Sequence, residues 1–179
     1  MKKSAGWLPS AYFHSIYSVD FELLYRRGFR GVILDIDNTL VPHGAKADRR
    51  AREFMEYLHD LGFDTCFLSN NDRARVAPFA HACQSSYICK AGKPAVRGYV
   101  RAMKRMMTDR TSTLVVGDQL ITDIWGANLT GIPSILVDPI NRHEEIQIVL
   151  KRLIEWPVRR LYRRKKGMNS YERLYADGM

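Results

Sequence analysis

The stretch Gly31-Val32-Ile33-Leu34-Asp35-Ile36-Asp37-Asn38-Thr39-Leu40 runs from an apolar strand into two carboxylates two positions apart. In an extended chain, positions i and i+2 point to the same side, and a parallel α/β sheet binds its ligands beyond the carboxyl ends of its strands. Asp35 and Asp37 are therefore expected to project into one crevice. Two carboxylates so close repel unless a cation or a shared proton relieves them, so a bound Mg²⁺ or a protonated acid is the natural expectation. Asp and Asn also favour turns, and taken alone the pair fits a plain strand-to-turn junction equally well.

Working outward, residues 46–61 place Ala47, Ala51, Phe54, Met55, Leu58 and Leu61 at helical spacing, and Gly62 ends the pattern. Residues 63–68 form a second apolar run closing in Ser69-Asn70-Asn71, after which Asp72 caps a helix running to about residue 82. A weak strand is expected over 86–89. Ala91-Gly92-Lys93-Pro94 then leads into a helix through Met107, with Pro94 suited to its first turn. Residues 113–116 are the clearest internal strand, ending in Gly117-Asp118 and followed by a helix to about residue 129, which Gly131 stops. Residues 132–137 make the last strand, and a helix from near Arg142 runs to about Trp156, where Pro157 kinks or ends it.

Strands alternating with helical patterns predict right-handed βαβ units, hence an α/β fold with a doubly wound, mainly parallel sheet. Before the opening strand, Phe13, Ile16, Phe21, Leu23 and Leu24 suggest one or two short helices lying against that sheet. The expected organisation is an N-terminal helical segment over 1–30, a core over 31–150 and a basic tail over 151–179.

The chain has 179 residues, enough for one domain with a substantial core, and its 46% hydrophobic and 26% charged residues argue against wholesale disorder. The formal charge of +9 favours an anionic partner such as phosphate esters, nucleic acid or an anionic membrane face. Cys66, Cys83 and Cys89 form no C-x-x-C pair and are odd in number, which fits a reducing cytoplasm and indicates neither a disulfide framework nor a zinc site. Met1-Lys2-Lys3 is followed by no signal-peptide apolar core, and no apolar run approaches the length of a membrane span, so any membrane contact is expected to be peripheral. His43 and His143 lack partner spacing and suggest no metal role.

Polar clusters fall at the ends of successive strands: Asp35-x-Asp37-x-Thr39, Ser69, Lys93 and Asp118-x-x-x-x-Asp123. Singly, each has a plain explanation: Ser69 starts a turn, Lys93 is solvated, and Asp118 caps the helix from Gln119. Together they supply what phosphoryl transfer needs. A carboxylate attacks phosphorus only if a cation screens it from the anionic phosphate, and Asp118 and Asp123 are suited to hold that cation. A lysine and a hydroxyl stabilise the transferring group, the roles that Lys93 and Ser69 fit. Turn formation explains Asn38 and Asn70 as well as any substrate contact does.

DIDNTLV, LSNN, GKP and GDQLITD, in that order between Gly31 and Val137, resemble the four motifs of the haloacid dehalogenase (HAD) superfamily of phosphatases. The resemblance implies a Rossmann-like core in which Asp35 is the nucleophile and forms an aspartyl-phosphate. It also implies that Asp37 acts as general acid and then general base, its backbone carbonyl contacting Mg²⁺. Asp118 would bind Mg²⁺ directly, Asp123 would support it, and Thr39, Ser69 and Lys93 would bind the phosphoryl group. DIDNTLVPHG, FLSNN, GKP and GDQLITDIWGAN together are most similar to the capless YqeG-type branch, subclass IIIA, whose members resemble phosphatases that convert phosphatidylglycerophosphate to phosphatidylglycerol.

Neither position where this superfamily inserts a cap has room for a large one, so the expected site is open and suits a phosphate on something large. From 151 to 166, eight basic residues oppose Glu155, a local +7 within the net +9. Leu153, Ile154, Trp156, Val158, Leu161 and Tyr162 are interleaved with them, as in a basic amphipathic element on an anionic bilayer. The same segment also fits a solvated helix docked on the protein's own sheet. Nucleic acid is the weakest of the three readings, because no aromatic stacking module is evident. The expected function is Mg²⁺-dependent hydrolysis of a phosphate monoester, with the phospholipid as substrate at the cytoplasmic membrane face. A phosphatase of a soluble metabolite or phosphoprotein, and a non-catalytic RNA- or membrane-binding adaptor, stand as alternatives.

Overall fold

Val32 and Leu34 pack into one apolar cluster and Ile33 into another, all three buried, as a strand covered on both faces requires. The computed structural model describes residues 7–141. Its elements in chain order are β1 (Ala11–Phe13), α1 (Phe21–Arg26), β2 (Gly31–Leu34), α2 (Arg49–Asp60), β3 (Asp64–Leu68), α3 (Arg73–Ala82), β4 (Ser86–Ile88), α4 (Val96–Met106), β5 (Thr113–Gly117), α5 (Gly126–Thr130) and β6 (Ser134–Val137). The strands form one sheet in the order β1-β6-β5-β2-β3-β4, every pair parallel.

From β2 the chain winds outward to β3 and β4, then returns to β5 on the other side of β2 and continues to β6. The direction of winding therefore reverses between β2 and β5. In an open α/β sheet the crevice above that reversal takes the ligand, because the loops leaving the two strands part there. Apolar residues of α1, α2 and α3 cover the face that holds Val32 and Leu34, while α4 and α5 cover the face of Ile33. The doubly wound parallel architecture is the one expected.

Several boundaries differ for local reasons. The expected helix over 46–61 starts at Arg49 because the Asp48 carboxylate caps it, accepting from the Ala51 N–H at 2.7 Å. Pro94 is not in the first turn of α4 but two residues ahead of it, since a turn closed by Ala95 N–H on the Gly92 carbonyl (2.9 Å) intervenes. The helix after Asp118 is split. Residues Leu120–Trp125 make a wide π-helical turn, in which Asp123 and Ile124 N–H both donate to the Gln119 carbonyl, and α5 follows until Gly131 ends it at φ +77°. The last strand begins at Ser134 because Pro133 has no N–H to donate.

The N-terminal segment departs furthest from expectation. Besides the two short helical elements expected, a 3-10 turn at Ile16–Ser18 and α1, it contributes β1, an edge strand in register with Ile135–Val137 of β6, where no strand was expected. Three residues are too few to display a period of two. Ser10 N–H, donating to the Ser134 carbonyl at 2.8 Å, anchors the strand's start. The helix expected from Arg142 and the basic tail over 151–179 lie outside the described residues. Among the described residues no helix is long and apolar enough to cross a membrane, and no cap is inserted between β2 and α2 or between β3 and β4.

Candidate active site

Asp35 extends β2 by one residue, its N–H donating to the Val116 carbonyl at 3.0 Å, so its side chain leaves the sheet at the crevice between β2 and β5. Its Oδ1 accepts from Lys93 Nζ at 2.6 Å, and the same ammonium donates to Asp123 Oδ1 at 2.6 Å. With 5% of the Lys93 side chain exposed and 2% of Asp123, this is an interior ion cluster and not a surface pair. Asn70 holds the lysine's backbone from the end of β3. Its Oδ1 accepts from Lys93 N–H at 2.7 Å and its Nδ2 donates to the Lys93 carbonyl at 3.2 Å. A turn residue in the sequence is thus a clamp in the structure.

Asp118, fully buried at the end of β5, has its Oδ1 3.4 Å from the Thr39 hydroxyl. The π-helical turn brings Asp123 back beneath it, with Oδ2 accepting from Gln119 N–H at 3.1 Å. Gly117 is required here: a Cβ at that position would overlap the Asp123 carboxylate. Behind the turn, the buried Tyr99 hydroxyl donates to the Thr122 carbonyl, and Gly126 leaves the room that its ring needs. Asp118 as a helix cap is not observed, since Gln119 occupies the cap position and makes no side-chain capping bond.

Asp35, Asp118 and Asp123 each offer an oxygen within 4.8 Å of the others. Three carboxylates against one ammonium leave two negative charges when all are ionised. Asp35 is shifted chiefly by its burial, which pushes its carboxyl up to about 7; Lys93 opposes the shift, and Asp123 and Asp37 add to it. Burial would also neutralise Lys93, but the Asp123 and Asp35 carboxylates outweigh it and hold the ammonium above the ordinary lysine range. An all-oxygen, hard donor set with an excess of two negative charges fits a small divalent cation such as Mg²⁺.

Asp37 lies in different surroundings. Its Oδ1 accepts from Gly44 N–H at 2.8 Å and from Arg75 Nη2 at 2.7 Å, and its Oδ2 from Asn71 Nδ2 at 2.8 Å. Ser69 is buried next to this group, its hydroxyl oxygen accepting from Asn71 N–H at 3.1 Å. The structure therefore brings Asp35, Thr39, Lys93, Asp118 and Asp123 into one connected cluster, and joins Asp37 and Ser69 through Asn71. Asn71 and Arg75 were not singled out from the sequence. The available signal was the Asp72 cap, which starts α3 at the sheet's carboxyl edge and so puts the first turn of that helix at the crevice. A depression of about 420 Å³ lined by Met103, Lys104 and Arg110 lies at the opposite edge of the sheet and holds none of these groups.

Residues 44–131 match the haloacid dehalogenase-like hydrolase family. "Probable phosphatase YqeG" of Bacillus subtilis (strain 168) is 32% identical over 160 residues, which are 89% of this chain and 93% of that protein. "Phosphatidylglycerophosphate phosphatase 1, chloroplastic/mitochondrial" of Arabidopsis thaliana is 30% identical over 156 residues, 79% of this chain but 44% of the plant protein. Among solved structures, an uncharacterized protein from Corynebacterium glutamicum superimposes with a TM-score of 0.51 at 18% identity, over 72% of this chain and 94% of its own. Another, from Listeria monocytogenes serotype 4b, gives 0.50 at 19% identity, over 66% and 86%. At these identities the two structures are similar in fold alone.

Proposed function

Because this chain belongs to the YqeG-type branch of the haloacid dehalogenase-like hydrolases, and is a phosphoric monoester hydrolase of that kind, we propose that Asp35 is its nucleophile and Asp37 its acid–base group. An Asp35 carboxylate oxygen attacks phosphorus, the bond to the alcohol oxygen breaks, and Asp37 gives that oxygen its proton. Water then attacks the phosphorus of the aspartyl-phosphate and Asp37 takes its proton. Inorganic phosphate leaves and Asp35 is regenerated. Lys93 holds the attacking carboxylate in place and sets a positive charge beside the transferring group, while Thr39 and Ser69 orient its oxygens. Asp35, Asp118, Asp123 and the Asp37 carbonyl would hold Mg²⁺, whose charge screens nucleophile from phosphate when bound.

The Lys93 ammonium shared by Asp35 and Asp123 at the β2–β5 crossover carries this reading. A buried cluster with unbalanced negative charge is costly to fold and makes sense as a cation-binding site. For the substrate, we propose phosphatidylglycerophosphate. Three observations support it: the name of the plant relative, the absence of a cap among the described residues, and the local +7 over 151–166. Each basic residue near anionic lipid contributes about 1 kcal/mol. Several together would hold the open site against a bilayer.

The test is phosphate release from vesicles containing phosphatidylglycerophosphate, with Mg²⁺. Asp35→Asn should lower release at least about a thousandfold while leaving the folded state intact. Undiminished turnover in that variant refutes the mechanism. Faster release from soluble sugar phosphates than from vesicles defeats the lipid assignment alone, and inactivity across a broad ester panel would return the chain to a binding role.

A further inference from the structure

Arg75 enters the site from the first turn of α3, its backbone N–H fixed by the Asp72 carboxylate at 3.0 Å. Its guanidinium carbon stands 5.6 Å from the centre of the Phe79 ring, which limits how far the fork swings toward the core. The side chain is 21% exposed, so the fork is neither sealed in the interior nor free in solvent.

A guanidinium offers five N–H donors in a plane, matched to grip an oxyanion two at a time. Here Nη2 makes one bond to Asp37, and the buried Nε has no hydrogen-bond partner among the described residues. Leaving a buried donor unpaired costs about 1 to 3 kcal/mol. The pose is therefore one that Arg75 gives up readily for an oxyanion able to meet two of its donors. Asp37 does not depend on it, since Gly44 N–H and Asn71 Nδ2 hold both carboxylate oxygens without Arg75.

Asp37 is the group assigned to the leaving oxygen, so a cation beside it at the rim lies on the alcohol side of the ester. Resting on the phosphatase reading above, we propose that Arg75 is a specificity residue that takes a second anionic group carried by the leaving alcohol, exchanging Asp37 for it. The substrate class is a phosphate monoester whose alcohol bears a phosphodiester, a second phosphate or a carboxylate. A phosphodiester of this kind occurs in a lipid headgroup and in soluble esters alike, and the experiment separates the two.

The probes are propyl phosphate and its analogue with a methyl phosphodiester at the far end of the propyl chain, both soluble, assayed with the full chain and Mg²⁺. The wild type should favour the analogue in kcat/KM by roughly 10- to 100-fold, the size of one or two charge-assisted hydrogen bonds. Arg75→Gln should bring that ratio close to one, and Arg75→Lys, which keeps the charge but not the fork, should leave it between. A ratio of two rates on one protein preparation is insensitive to partial unfolding. An unchanged ratio in Arg75→Gln overturns the proposal while leaving the phosphatase reading intact, whereas no turnover of either ester by the wild type, in solution or displayed on vesicles, overturns both. If the preference appears only with esters displayed on vesicles and survives Arg75→Gln, the membrane surface and not Arg75 reads the charge, and the proposal falls.

Discussion

Asp35 and Asp37 stand two residues apart in the chain and in opposite kinds of surroundings. Asp35 shares one ammonium with Asp123 in a buried cluster that has too little positive charge. Asp37 has three donors at the rim, one from the loop after β2 and two from the start of α3, more than a carboxylate needs to stay in place. The inner half hangs on one counter-charge, so loss of the ammonium exposes the charge of all three carboxylates. The outer half is held redundantly, so a member can be exchanged. A nucleophile benefits from the first arrangement and a group that must hand a proton to varied partners from the second.

The sharpest way to break this comparison is Lys93→Met. It removes the cluster's counter-charge and should destabilise the metal-free protein by about 3 to 5 kcal/mol in urea titrations, with part of the loss recovered on adding Mg²⁺. A variant as stable as wild type would mean that the three carboxylates do not depend on the ammonium. Gly117→Ala should come next. Its methyl group displaces the Asp123 carboxylate, for about 1 to 3 kcal/mol of stability and a weaker Mg²⁺ isotherm in calorimetry. The smallest effect belongs to the rim. Asn71→Ala removes one of three donors on Asp37 and should cost about 1 kcal/mol or less in the same urea titration. A loss as large as that of Lys93→Met would erase the distinction between the two halves.

What the sequence made legible follows the same division. Asp35, Ser69 and Asp118 were singled out as candidates because strands end abruptly, and a polar residue just beyond an apolar run is visible without knowing the fold; Lys93 stands five positions past β4 and was singled out within Gly92-Lys93-Pro94. The doubly wound parallel sheet was likewise written in the alternation of apolar runs with helical spacing. Asn71 and Arg75 escaped because their role depends on how closely the start of α3 approaches the loop after β2, a tertiary distance with no local signature. Asn70 looked like a turn residue because it is one, and its two bonds to Lys93 span 23 positions. Asp123 reaches the cluster through a π-helical turn, whose extra width no residue pattern announces.

The pairing of β1 with β6 bears on how the molecule is made. Ser10 and Ser134 are 124 positions apart yet bonded to each other. As the chain leaves the ribosome at about 5 to 20 residues per second, β1 waits roughly 6 to 25 seconds before its partner exists. During that interval a strand rich in Tyr and Phe has no neighbour. Its brevity, three residues before the chain turns away, keeps it from serving as a template for another molecule.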